Sequence, residues 1–278
     1  MKLNYRTIKN AEAIAKYWGK SIDNSDWYSI KNQANKDETE IMIYDVLVWP
    51  FNDATELIKN VNAINTKSIL VKINSPGGDA FDGISIYNAL ANHPSKVITR
   101  VEGLAASVAS IIVMAGNEIQ MYQNTMLMIH NAWAYVVGNQ QALLEVATVL
   151  DKMDNNLIGI YTNKTKGSKK EMAQMMADET WMTAKEAQDK GFIDTILESG
   201  KAIKAQFDLS IFNHVPDGIS VEREGKELSE REIERALKNM GISQSRAKFM
   251  VALSKESEHK ETRGIIAECE KVIAIIKN

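Results

Sequence analysis

With one cysteine in 278 residues, Cys269, the chain can close no intramolecular disulfide, and a reducing compartment suits it. Lysine and arginine total 33 against 36 acidic residues, a formal net charge of -3. That balance provides no single-signed field to attract nucleic acid or an anionic membrane, so neither partner is expected. Long apolar runs are also missing: the most apolar stretch, 105–115, is too short to span a bilayer and is interrupted by Ser107 and Ser110. Residues 1–20 lack the continuous apolar core of a secretion signal, so a cytoplasmic location is expected. There is no internal repeat and no low-complexity tract. No cofactor and no metal is called for.

What is present is ordinary globular material, 45% hydrophobic and 25% charged, enough for one sizeable core and an appendage. The reading divides the chain into a lead-in (1–39), a core domain (40–206), a linker (207–228) and a helical extension (229–278). In the core, a strand over 41–46 precedes a helix capped by Asn52 or Asp53. A β-branched strand over 68–73 then ends at Pro76-Gly77-Gly78, where the chain turns. Phe81, Ile84, Ile86, Tyr87, Leu90 and Ala91 recur at helical spacing. A strand over 96–101, a turn at Gly103, a helix over 106–115 and strands over 118–122 and 126–129 follow. A long amphipathic helix is expected over 139–161, and a shorter one over 168–176. A third, capped by Thr183, stops at Gly191 before a strand over 192–197. This alternation predicts an α/β architecture. In the extension, Ser229 and Glu232 have capping-box spacing, and Gly241 and Ser243 separate two helical stripes.

Four segments hold candidate chemistry for acyl transfer, which needs a nucleophile, a base, a group orienting the base, and oxyanion donors. Ser107 sits among small residues in Gly103-Leu104-Ala105-Ala106-Ser107, at the expected start of a helix. His130 ends the apolar run Met128-Ile129, where a rigid strand would hold a base in place. Gly77 and Gly78 can expose backbone N–H groups. Asp178 and Glu179 offer carboxylates to orient the imidazole. Taken singly, each segment also admits a plain structural role: a tolerated serine, a satisfied histidine, a turn, a charged helix end. The other histidines, His93, His214 and His259, stand in polar or loop contexts.

In order along the chain, these segments resemble the proteolytic subunit of Clp protease and its phage-encoded relatives, the head maturation proteases. The resemblance covers about 40–197. It rests on Asn74-Ser75-Pro76-Gly77-Gly78, the block ending in Ser107, Met128-Ile129-His130, and Trp181-Met182-Thr183-Ala184-Lys185-Glu186-Ala187 followed by Gly191-Phe192-Ile193-Asp194. It implies a serine endopeptidase with Ser107 as nucleophile, His130 as general base and the N–H groups of Gly78 and Val108 as oxyanion hole. The usual aspartate falls at Glu179, with Asp178 the adjacent candidate. Gly77, Asn131, Ala132 and Trp133 would contact substrate, residues 131–135 as a strand paired with it. The implied fold is a spiral of ββα units shared with crotonases, its 139–161 helix acting as a handle in ring-forming homo-oligomers, heptameric or in double rings. The additional segments around the core point to a phage enzyme cutting capsid or scaffold proteins without an unfoldase. A cellular subunit fed by an AAA+ ATPase, a crotonase-type acyl-CoA enzyme and a catalytically silent assembly scaffold are the alternatives.

Overall fold

A computed structural model describes residues 27–33, 37–47, 54–134, 136, 138–165, 167–198, 207, 209, 212–216, 244 and 248. The chain divides into two compact units. One, Met1–Asp23 with Glu222–Asn278, contributes only Gln244 and Lys248 to the described residues, both on helical backbone. Otherwise the expected tail helices, and the lead-in before Trp27, lie outside the described residues.

The other unit, Asn24–Val221, alternates strands and helices as the sequence predicts. Its strands are β1 (Tyr28–Gln33), β2 (Glu38–Ile43), β3 (Ser68–Ser75), β4 (Lys96–Ala106), β5 (Glu118–Tyr122), β6 (Met126–Ile129), β7 (Thr180–Thr183) and β8 (Thr195–Leu197). Its helices are α1 (Ala54–Asn62), α2 (Ala80–Ala91), α3 (Val108–Val113), α4 (Gln140–Lys164), α5 (Lys169–Ala177) and α6 (Ala184–Asp189). The sheet runs β1-β2-β3-β4-β5-β8. Apart from the antiparallel β1–β2 hairpin, every pairing along that path is parallel. Parallel strands covered on both faces require nearly continuous apolar sequence, and β3 and the end of β4 have it. Ile41, Ile43, Val71, Ile73 and Val101 are fully buried there.

The eleven-residue β4 branches the sheet. Ile98–Val101 lies beside β5, whereas Leu104–Ala106 lies beside β6, which in turn pairs antiparallel with β7. Ser107, His130 and Glu179 all sit at the strand ends of this branch.

Four sequence expectations need correction. Tyr28–Gln33, assigned to a loose lead-in, is strand β1 in register with β2, and Trp27 is buried in the core. The Asn, Asp, Lys and Ser spread through 24–37 hid the inward face of Tyr28 and Ile30. Gly103 is not a turn: β4 passes straight through it, and the glycine makes room for Asn74. A Cβ at position 103 would lie 2.5 Å from Asn74 Oδ1, the atom that accepts the Leu104 N–H at 3.0 Å. β7 was not anticipated, being four residues long and carrying charges just before it. Finally, the described residues between 207 and 216 are not free linker. Leu209 and Phe212 are buried with Leu104, Ala106 and Met128, against β4 and β6. The Asn52 and Asp53 caps lie outside the described residues.

Candidate active site

Strand register alone assembles the candidate site. Ala106 of β4 stands beside Met128 of the parallel β6, so the next residue, Ser107, donates its N–H to Met128 O at 3.0 Å. Ile129 of β6 faces Thr180 of the antiparallel β7, so one step beyond the ladder His130 and Glu179 stand opposite each other. Serine, histidine and glutamate thus occupy three adjacent strand ends without needing any loop to carry them.

Ser107 is the hinge between β4 and α3, at φ 55° and ψ −132°. A non-glycine residue in that region costs about 1–3 kcal/mol and persists only where its surroundings over-determine it. Here they do: its carbonyl accepts the Ser110 N–H at 2.9 Å and the Ser110 hydroxyl at 2.5 Å. The Ser107 Oγ lies 2.7 Å from His130 Nε2, a direct hydrogen bond between the candidate nucleophile and the candidate base.

Gly77 and Gly78 follow β3 at φ +97° and +153°. A Cβ on Gly77 would fall 2.6 Å from Ser107 Cβ, and one on Gly78 1.9 Å from Leu47 O, so both glycines are required by space as well as by conformation. Leu47 brackets this loop, donating its N–H to Gly77 O at 2.7 Å and accepting the Asp79 N–H at 2.5 Å. Among the described residues no acceptor sits on the Gly78 N–H. The Val108 N–H is a first-turn amide of α3, which no intrahelical carbonyl can serve. Gly78 and Val108 thus offer two free backbone donors, candidates for holding a developing oxyanion.

His130 is half-buried, and its ring meets the edge of Phe212 with centroids 5.4 Å apart. Burial pulls its pKa down to about 4, opposed by the Glu179 charge. The imidazole is thus neutral at pH 7, as a general base must be. Glu179 is buried, at φ 49°. Its Oε2 accepts from the backbone N–H of Asn213 at 2.9 Å and from Asn213 Nδ2 at 3.4 Å. Its Oε1 accepts from the His214 N–H at 2.6 Å and from Trp181 Nε1 at 3.4 Å. No hydrogen bond joins it to the His130 ring. The alternative carboxylate, Asp178, is exposed and accepts from Gln174 Nε2 at 2.8 Å.

The expected substrate strand is not a strand over 131–134. Two of its amides are occupied within the chain: Asn131 N–H donates to Met176 O at 3.2 Å, and Ala132 N–H to Asp154 Oδ1 at 2.7 Å. Trp133 is exposed. Sequence reasoning gave no role to Phe212 or Asn213 and read His214 only as a histidine in a polar or loop context. Their signal was the apolar series Phe207, Leu209, Ile211, Phe212 and Val215 in the sequence, and nothing local points it at a residue 34 positions earlier. Among the described residues no group of three or more metal-ligating side chains converges, and no helix is long and apolar enough to cross a membrane.

The family model described as Clp protease matches residues 23–200. The chain is 34% identical over 143 residues to ATP-dependent Clp protease proteolytic subunit 1 of Protochlamydia amoebophila, covering 50% of this chain and 69% of that protein. It is 28% identical over 147 residues to proteolytic subunit 3 of Rhodococcus jostii, covering 52% and 73%. A Bacteroides fragilis proteolytic subunit is 31% identical over 133 residues, covering 47% and 64%.

Proposed function

The chain belongs to the Clp protease family and is a serine endopeptidase, and we propose that Ser107, His130 and Glu179 form its catalytic triad. The observation that carries this reading is the 2.7 Å contact of Ser107 Oγ with His130 Nε2 beside the unoccupied Gly78 amide. In the acylation step His130 Nε2 takes the Ser107 proton as Oγ attacks the scissile carbonyl. The oxyanion forms between the Gly78 and Val108 amides. The imidazolium then gives that proton to the leaving amine, and water, deprotonated by the same nitrogen, releases the acyl group. Glu179 contributes its negative charge beside the imidazole as the latter becomes cationic.

The substrates we propose are capsid or scaffold proteins of an assembling phage head, cut without an ATPase, by a ring of identical subunits. Supporting this are the 78 residues that follow the family-matched span, an extension suited to delivering the enzyme to an assembly. Self-association is supported by α4, which buries Val146, Met153, Leu157 and Tyr161 and leaves Leu143 and Leu144 exposed near its start. The relatives' names favour a second reading, a cellular subunit served by an ATPase.

Two measurements test these readings. Ser107→Ala should abolish cleavage of an unfolded protein while leaving the size of the assembly unchanged by gel filtration, and persisting cleavage would remove Ser107 from the mechanism. Co-expression with the capsid and scaffold genes of a host phage should yield Ser107-dependent processing without ATP. Cleavage that appears only with an added AAA+ unfoldase would favour the cellular reading.

A further inference from the structure

Glu179 presents a problem of burial. An ionised carboxylate is tolerated away from water only when its oxygens are hydrogen-bonded. The β6–β7 ladder that brings Glu179 opposite His130 supplies no backbone donor to the carboxylate. Within that ladder only the Trp181 indole reaches it, at 3.4 Å. The short bonds come from elsewhere: main-chain N–H groups of Asn213 and His214, one to each oxygen, at 2.9 and 2.6 Å. One rigid amide on each oxygen fixes the plane of the carboxylate as well as satisfying its charge.

These two residues are anchored by what precedes them. Leu209 and Phe212 are buried against Leu104, Ala106 and Met128, the strand ends that lead to Ser107 and His130. Phe212 also stands edge-on to His130 and to Trp181, with centroids 5.4 and 5.7 Å apart. The segment therefore touches two members of the proposed triad at once. It lies beyond residue 200, where the family match ends.

We infer that Phe212, Asn213 and His214 are positioning residues of the catalytic centre: the two amides hold the Glu179 carboxylate at a fixed angle, and Phe212 closes one side of the imidazole. The peptidase centre of this chain is then incomplete without a segment outside the family-matched span. The inference rests on Glu179 being the triad carboxylate.

The test is a set of substitutions in the full-length chain, with kcat and KM measured on a dye-quenched unfolded casein. Folding and assembly are checked by circular dichroism and gel filtration. Asn213→Pro deletes one donor and should lower kcat about 10- to 100-fold, the worth of one hydrogen bond to a charged group, with KM nearly unchanged. Asn213→Ala keeps the main-chain donor and deletes only the longer 3.4 Å side-chain bond, so its loss should be smaller than that of Asn213→Pro. Added to Glu179→Ala, Asn213→Pro should change kcat by less than about 2-fold, because the group it acts through is gone. His214→Pro, which removes the donor to the other oxygen, is read the same way should Asn213→Pro fail to fold.

Unchanged or faster turnover in the proline variants would overturn the inference. So would an equal loss with and without Glu179, or the failure of both proline variants to fold, each of which assigns the segment to packing. Near-parental kcat in Glu179→Ala would instead refute the triad assignment. A crippled Glu179→Ala alongside an intact Asn213→Pro refutes only the positioning role.

Discussion

Behind Ser107, the proposed nucleophile, lies a buried pair whose proton directions can be worked out. Ser110 Oγ has one proton and two neighbours, Ser107 O at 2.5 Å and Tyr161 Oη at 2.7 Å. A carbonyl only accepts, so Ser110 donates to Ser107, and Tyr161 must donate to Ser110. Ser110 and Tyr161 are both buried, and burial pushes the phenol's pKa up, keeping it protonated. Tyr161→Phe removes one neutral hydrogen bond and leaves no donor orphaned, a cost of about 1 kcal/mol. Ser110→Ala removes two bonds and strands the phenolic proton in the core, a cost of about 2–4 kcal/mol. Adding Tyr161→Phe to Ser110→Ala deletes the stranded group, so the double variant should be no less stable than Ser110→Ala alone. Urea unfolding followed by tryptophan fluorescence, at one fixed protein concentration, measures all three. Fluorophosphonate labelling of Ser107 should slow in Ser110→Ala, which unties the Ser107 carbonyl, and hold in Tyr161→Phe. Equal and additive losses from the two single variants would refute the proton assignment and the network built on it.

Gly77→Ala should leave a folded chain with kcat at least about 100-fold down, since the new Cβ forces Ser107 away from a geometry in which an ångström matters. Retention of normal labelling by a fluorophosphonate would show that the loop yields freely. For pH, the base form is neutral His130, whose pKa in the folded chain is about 4. The labelling rate should therefore be flat from pH 8 down to about pH 5 and fall as the pH drops through about 4, whereas a midpoint near the ordinary histidine value would contradict the burial argument. The stability consequence has the same sign. The unfolded chain binds the His130 proton more readily, so this contribution is whole above the ordinary value of 6.5 and is lost as the pH falls toward 4. Urea midpoints measured at pH 7 and pH 5 check it.

What was legible in the sequence was whatever is decided locally. Glycines at 77 and 78 announce positive φ. The run Met128-Ile129 announces a strand that must end at His130. Thr183 with Glu186 announces a cap, and the capping box is present. Gly103 was misread because a glycine inside a strand and a glycine in a turn look alike until the partner is known, here Asn74 one strand away. Strand β1 was missed for the converse reason: its stability comes from the β2 ladder and from Trp27 in the core, neither of which its own composition advertises. The stretch 207–228 was read as linker on Pro216 and the glycines after it, which passed over the apolar residues before Pro216, Leu209 and Phe212 among them. Their placement depends on an apolar patch made by Leu104, Ala106 and Met128, which exists only once β4 and β6 are paired.

Backbone strain ties these observations together. Among the described residues three that are not glycine have positive φ: Asp37, Ser107 and Glu179. Asp37 makes the β1–β2 turn, where such a conformation is ordinary for aspartate. The other two are the proposed nucleophile and the proposed carboxylate, and neither residue type favours that region. Each is held by bonds from outside its own strand: Ser107 by Ser110 and Met128, Glu179 by Asn213 and His214. Strain that survives only because separate elements enforce it follows naturally if the position of the side chain matters more than the comfort of the backbone. It also explains why the two ends of the site depend on different parts of the chain. The serine end is built within the family-matched span, and the carboxylate end is finished by residues that come after it.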